Sequence, residues 1–230
     1  MNPRDTQLMR GLGWLTAYAV AMAYLESAVV VYLRLIYYPK GFDFPLRLIE
    51  SWVGAIEVGR EAVTLVMLVA VAWISGRDRW ERFLHFCFAF GVWDIFYYAW
   101  LWVFLRWPPS LLTGDILFLI PVPWVAPVLA PVAVSVLLIA GSLLMLRLRA
   151  GGMQLGFATW HWALAVGGGV IVLVSFMLDA GAVLAGQMPP PFRWWLFGTG
   201  LAAATAATGF GLQSALAKRR GVGPSRVDRP

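Results

Sequence analysis

Glu57, Arg60 and Glu61 stand within five positions of one another in the stretch "AIEVGREAVTL", residues 55–65, and an almost unbroken apolar run over 62–74 overlaps it. Carboxylates and a guanidinium at this spacing can exchange protons, hold a cation, or pin helices together through ion pairs. On a helix turning about 100° per residue, Glu50, Gly54, Glu57, Glu61, Thr64 and Leu68 share one stripe, with Arg60 on its flank. Two further acids interrupt apolar runs. Glu26 is one; Asp94, on the helical face of Cys87, Gly91 and Tyr98, is the other.

The elements that must position these groups follow from composition. Hydrophobic residues make up 60% of the 230-residue chain and charged residues 13%, against about 25% charged in soluble domains. The mean hydropathy is +0.74. This predicts an all-α, polytopic transmembrane helix bundle. Windows long enough to cross about 30 Å of hydrocarbon, roughly 20 helical residues each, occur near 13–37, 51–75, 83–105, 124–148, 159–184 and 194–216. Six spans leave no loop long enough for a separate domain, so the reading is one integral-membrane domain with a basic tail over 217–230. Two early arginines and "AVAMA" imitate a signal peptide, but the apolar run continues through Tyr38, too long for a cleaved segment. An uncleaved first span is expected.

The net charge of +6 reads as topology rather than as nucleic-acid binding. Arg4, Arg10, Arg77, Arg79, Arg82, Arg147, Arg149 and the tail residues Lys218, Arg219, Arg220, Arg226 and Arg229 fall on one side of a six-span arrangement. Arg34, Lys40, Arg47, Arg106 and Arg193 fall on the other. The positive-inside rule then makes both termini cytoplasmic, in a bacterial-type inner membrane, with the tail facing lipid headgroups. Trp and Tyr at span ends, such as Trp14, Tyr37, Trp73 and Trp107, form the expected interfacial belt. In the sixth span Gly198, Ala202 and Ala206, with Gly200, Ala204 and Thr208 beside them, make a small-residue face for close helix packing, within the chain, in a homo-oligomer, or against another membrane subunit.

Before the fourth span the chain reads "WPPSLLTGDILFLIPVPWVAPVLAP". The prolines at 121 and 123 lack the N–H of a continuous helix, so the segment is expected to break there. Residues 111–120 would form a short interfacial or re-entrant piece on the outer side, the span would start near Trp124, and Asp115 would be delivered into an outward-facing pocket. The competing reading is an ordinary loop followed by a long kinked helix.

Counting about 1.5 Å of rise per residue from the cytoplasmic ends, Glu26 lies roughly 18 Å deep, Asp94 roughly 15 Å and Glu61 roughly 21 Å, with Glu57 and Tyr98 in the outer half. These residues are expected to meet near the midplane in one buried network anchored by Arg60. Four acids against Arg60 leave a formal charge of −3. Protonation or a bound cation can offset it, or the network can be purely structural. The histidines His85 and His161 sit near the cytoplasmic ends of the third and fifth spans. Haem between them is disfavoured because no spacing motif supports it, and so are zinc-hydrolase and di-iron sites. The lone Cys87 gives no disulfide and no Cys-based metal motif.

Three functions remain open. The first is proton- or cation-coupled transport, or a membrane subunit of a larger complex, using the carboxylate layer. The second is a membrane-embedded enzyme acting on a lipid or isoprenoid, although no nucleophile-and-base pair or metal set assigns catalytic residues. The third is a scaffold without chemistry.

Overall fold

The computed structural model describes residues 3–39, 41–42, 44–45, 51–153 and 155–221, with side chains described within these from Asp5 to Ser214, Ser51 excepted. Lys40, Arg47 and Glu50 lie outside the described residues, as do the side chains of Lys218 to Arg220 and everything beyond Gly221.

Among the described residues the regular structure is helical apart from one hairpin. In order the chain forms α1 (Pro3–Tyr37), α2 (Ser51–Ser75), α3 (Arg79–Leu105), β1 (Gly114–Phe118), β2 (Trp124–Pro127), α4 (Leu129–Ala150), α5 (Thr159–Met177), α6 (Ala180–Leu184) and α7 (Trp194–Gly221). Four helical stretches among the described residues are long and apolar enough to cross a membrane: Asp5–Tyr37, Arg79–Leu105, Leu129–Ala150 and Thr159–Leu184. The second and sixth expected spans are also helices, α2 and α7, but they are not among these four. Three ionisable residues interrupt α2, and α7 is rich in Gly, Ala and Thr.

Packing is built around α3, which lies against α1, α2 and α4, while α5 and α7 pair with each other. Leu15, Ala19 and Ala23 of α1, Leu68 of α2, Phe88 and Val92 of α3 and Leu146 of α4 share one buried cluster. Apolar side chains also cover the outside, with Trp14, Val66 and Ile74 more than half exposed. A helix apolar on both its inner and outer faces fits a lipid surround rather than water.

Small residues set the closest approaches. A Cβ on Gly91 would come within 2.7 Å of the Ser135 carbonyl, so α3 and α4 touch backbone to backbone. Gly168 of α5 and Gly200 of α7 face each other in the same way, each with the other's carbonyl within 2.7 Å of where its Cβ would be. The Gly200 and Ala204 side of the small-residue face is therefore used inside the chain, whereas Gly198 and Ala202 are exposed.

The segment before α4 differs from the expected interfacial piece. Gly114–Phe118 pairs antiparallel with Trp124–Pro127, with Asp115 opposite Ala126 and Ile116 opposite Val125, and the helix starts at Leu129 rather than Trp124. Pro121 and Pro123 fall in the turn, where a missing N–H costs nothing. Cross-strand bonds satisfy a backbone that the prolines exclude from a helix. The fifth span is also interrupted, at Leu178 and Asp179 between α5 and α6.

Candidate functional site

Five elements converge on one cavity of about 330 Å³. From α1 come Glu26 and Arg34; from α2 come Glu57, Arg60, Glu61 and Thr64. The hairpin contributes Asp115 and the segment ending at Leu119, α3 contributes Trp93, Asp94, Tyr97 and Tyr98, and α6 closes the lining with Val183 and Leu184. The polar stripe of α2 is its buried face: Glu57, Glu61, Thr64 and Leu68 are buried while the intervening residues are partly or fully exposed.

Four sets of contacts divide the acids. Arg60 pairs with the Glu26 carboxylate across to α1 and donates from Nε to Glu57 Oε2 at 2.8 Å on its own helix. The Thr64 hydroxyl also donates to Glu26. Glu61 Oε2 accepts the Leu119 backbone N–H at 2.7 Å, which ties α2 to the hairpin end. Asp94 Oδ2 accepts the Ser135 hydroxyl at 2.8 Å, made reachable by the close α3–α4 approach at Gly91. Asp115 receives Arg34 Nη2 at 3.4 Å and the Tyr98 hydroxyl at 3.2 Å. Ser27 donates to the Tyr97 carbonyl at 3.0 Å and Trp100 Nε1 to the Val20 carbonyl at 3.2 Å, fixing α1 against α3 beside the site.

The structure thus brings Glu26, Glu57, Arg60, Glu61, Asp94, Tyr98 and Asp115 around a single cavity, but not into a single network on Arg60. Among the described residues Arg60 makes ion pairs with Glu26 and Glu57 only, and Glu61 and Asp94 make none. The cause is local. Arg60 sits three residues after Glu57, within ordinary i,i+3 reach, and at the edge of the polar stripe that faces α1.

Arg34 is the group that sequence reasoning assigned elsewhere, as an outer-side topology marker. It is buried and packs against two mutually perpendicular aromatic rings, its Cζ 3.7 Å from the Trp107 centroid and 4.5 Å from that of Phe42. Its signal in the sequence was its position eight residues after Glu26, two turns further along an apolar helix, where an arginine needs a partner. Ser135 was missed as well, because nothing local in α4 marks which serine meets α3.

With Arg34 included, five carboxyl groups face two guanidinium groups around the cavity, so the formal charge among the described residues is −3. Such a set can hold protons, attract a cationic group, or hold a ligand through its arginines and tyrosines. Among the described residues no three His, Cys, Asp or Glu side chains gather to hold a metal ion.

Neither histidine lines this cavity. His161 is buried and stacks on Trp160 at 3.7 Å, and its Nδ1 accepts the Ala158 N–H at 2.9 Å. His85 lines a separate cavity of about 720 Å³, with Arg77, Glu81 and Arg149, at the opposite end of α3 from the hairpin. Compared with known proteins, the chain matches no family model, no curated protein and no solved structure.

Proposed function

We infer that the chain is a six-span integral membrane protein, α2 and α7 completing the set, with both termini cytoplasmic in a bacterial-type inner membrane. Its carboxylate-lined cavity takes up protons or a cation, as an ion-coupled transporter or as a membrane subunit of a larger complex. The observation that carries this reading is the excess of five buried carboxyl groups over two guanidinium groups around one cavity. Ionised acids in a water-poor interior are costly unless paired, and Glu61 and Asp94 hold only neutral hydrogen-bond donors. A proton or a positive charge offsets that cost.

The test uses the full chain in detergent. Glu61→Gln keeps the shape and the acceptor for Leu119 while removing the charge, so the variant should fold. For the wild type, melting temperature should depend on pH and on added cations, and for Glu61→Gln this dependence should be reduced. Coincident pH and cation profiles for the two proteins would assign the layer to structure alone.

A further inference from the structure

Two donors around the same cavity have no acceptor among the described residues. Arg34 engages Asp115 through Nη2, while its Nη1 is buried and unpaired. Trp93 Nε1 is likewise buried and unpaired. Both residues are more than nine-tenths buried, 8% and 6% exposed, and both line the cavity. Buried donors normally find acceptors, and a guanidinium offers five N–H groups in a planar fork that matches carboxylate or phosphate. The rings of Trp107 and Phe42 hold that fork in place. The orphaned donors therefore call for a ligand oxygen, and an anionic one at Arg34.

The acids call for the opposite charge. Glu61 and Asp94 are the cavity acids that pair with no guanidinium among the described residues, so positive charge belongs beside them. A bare metal ion is poorly served, since the acids are distributed over separate contacts rather than gathered. A cavity of about 330 Å³ is instead of the size that holds a small organic molecule. Its tyrosine and tryptophan faces suit an organic ammonium.

We propose that the cavity binds one dipolar molecule, its ammonium group beside Asp94 and its oxyanion on Arg34. This rests on the reading of the layer as a cation site and names the cation's chemistry. Asp94 and Tyr98 are one turn apart on α3, about 6 Å of rise, and Tyr98 marks the level of the Asp115–Arg34 pair. The ligand's charges are then separated by roughly one helical turn, longer than in an α-amino acid and comparable with an extended phosphoethanolamine group. That chemistry is shared by a lipid headgroup and by the free compound.

Thermal stability and binding of the full chain in detergent separate the cases. The probes are phosphoethanolamine, ethanolamine alone, inorganic phosphate alone, and mixed micelles of phosphatidylethanolamine or phosphatidylglycerol. A probe carrying both charges should raise the melting temperature where the two half-molecules do not. Stabilisation by the soluble probe identifies a free ligand, and stabilisation by phosphatidylethanolamine only identifies a headgroup. Arg34→Gln should weaken that binding by at least about tenfold, the loss of one charge-assisted contact. Trp93→Phe, which keeps the ring and removes the N–H, should weaken it less, and it serves if Arg34→Gln does not fold. Equal shifts with ethanolamine alone, or full binding in both variants, overturn the proposal and leave the cation reading standing. No shift with any probe also overturns it, and the Glu61→Gln comparison then judges the cation reading separately.

Discussion

Arg60 is held between Glu26 and Glu57, and its removal is the sharpest change available at the level of single residues. Arg60→Ala leaves two buried carboxylates without their counter-charge and should destabilise the fold by about 3–5 kcal/mol, read as a loss of melting temperature in detergent. Glu26→Gln in the same background should recover part of that loss, because it deletes one of the stranded charges. At Glu61 two substitutions separate charge from hydrogen bonding: Glu61→Ala orphans the Leu119 N–H at a cost of about 1–3 kcal/mol, whereas Glu61→Gln retains an acceptor and should cost less. Equal melting points for these two variants would show that the α2–hairpin bond does not hold. The acids were legible in the sequence because charged residues within apolar runs are conspicuous. Their pairings were not, because partners across helices depend on rotation and offset that the sequence of one helix does not encode. Arg34 shows the limit: the residue was visible, but the ring pair of Phe42 and Trp107 that buries it comes from outside α1.

Among the elements, α3 is the post against which the site is built, and its start is capped by Asp78. Oδ1 of Asp78 accepts the N–H groups of Trp80 and Glu81 at 2.8 and 3.0 Å, and Arg149 pairs with its other oxygen. The Glu81 N–H above all, assisted by Arg149, holds the Asp78 carboxyl below its ordinary value. A depressed carboxyl contributes stability above its unfolded value of about 3.9, and that contribution is lost as pH falls through the lower folded value. Asp78→Ala should cost about 1 kcal/mol at neutral pH, and the difference from wild type should shrink under acid conditions. A difference that stays constant into strong acid would exclude the cap as its source. The α5–α7 pair tests differently: Gly168→Leu has no room against the Gly200 carbonyl and should separate these helices, seen as a large fall in melting temperature. Helix windows were legible from hydropathy, and α2 begins and ends where the window did. The hairpin was not legible, since "GDILF" and "WVAP" are too short for periodicity to distinguish strand from helix end, and the prolines signal only a break.

At the scale of the whole molecule, a bundle apolar on its outside holds a cavity lined by more acid than base. Helical class and the lipid-facing exterior follow directly from composition. The number of crossings does not, because α2 and α7 owe their place to packing on α3 and α5 rather than to hydropathy alone. On the proposed reading, the acid excess is offset by protons or by a cation rather than left as bare charge. Infrared difference spectroscopy of the carboxyl stretch reads this directly in the purified full chain, comparing wild type with Glu61→Gln and Asp94→Asn across pH and with added cations. A protonated-carboxyl band at neutral pH, reduced in at least one variant, or carboxylate bands that shift when a cation is added and lose that response in a variant, is the predicted result. Fully ionised carboxylates at neutral pH, insensitive to every cation and identical in pH response across the three proteins, would rule out a proton or cation in this layer.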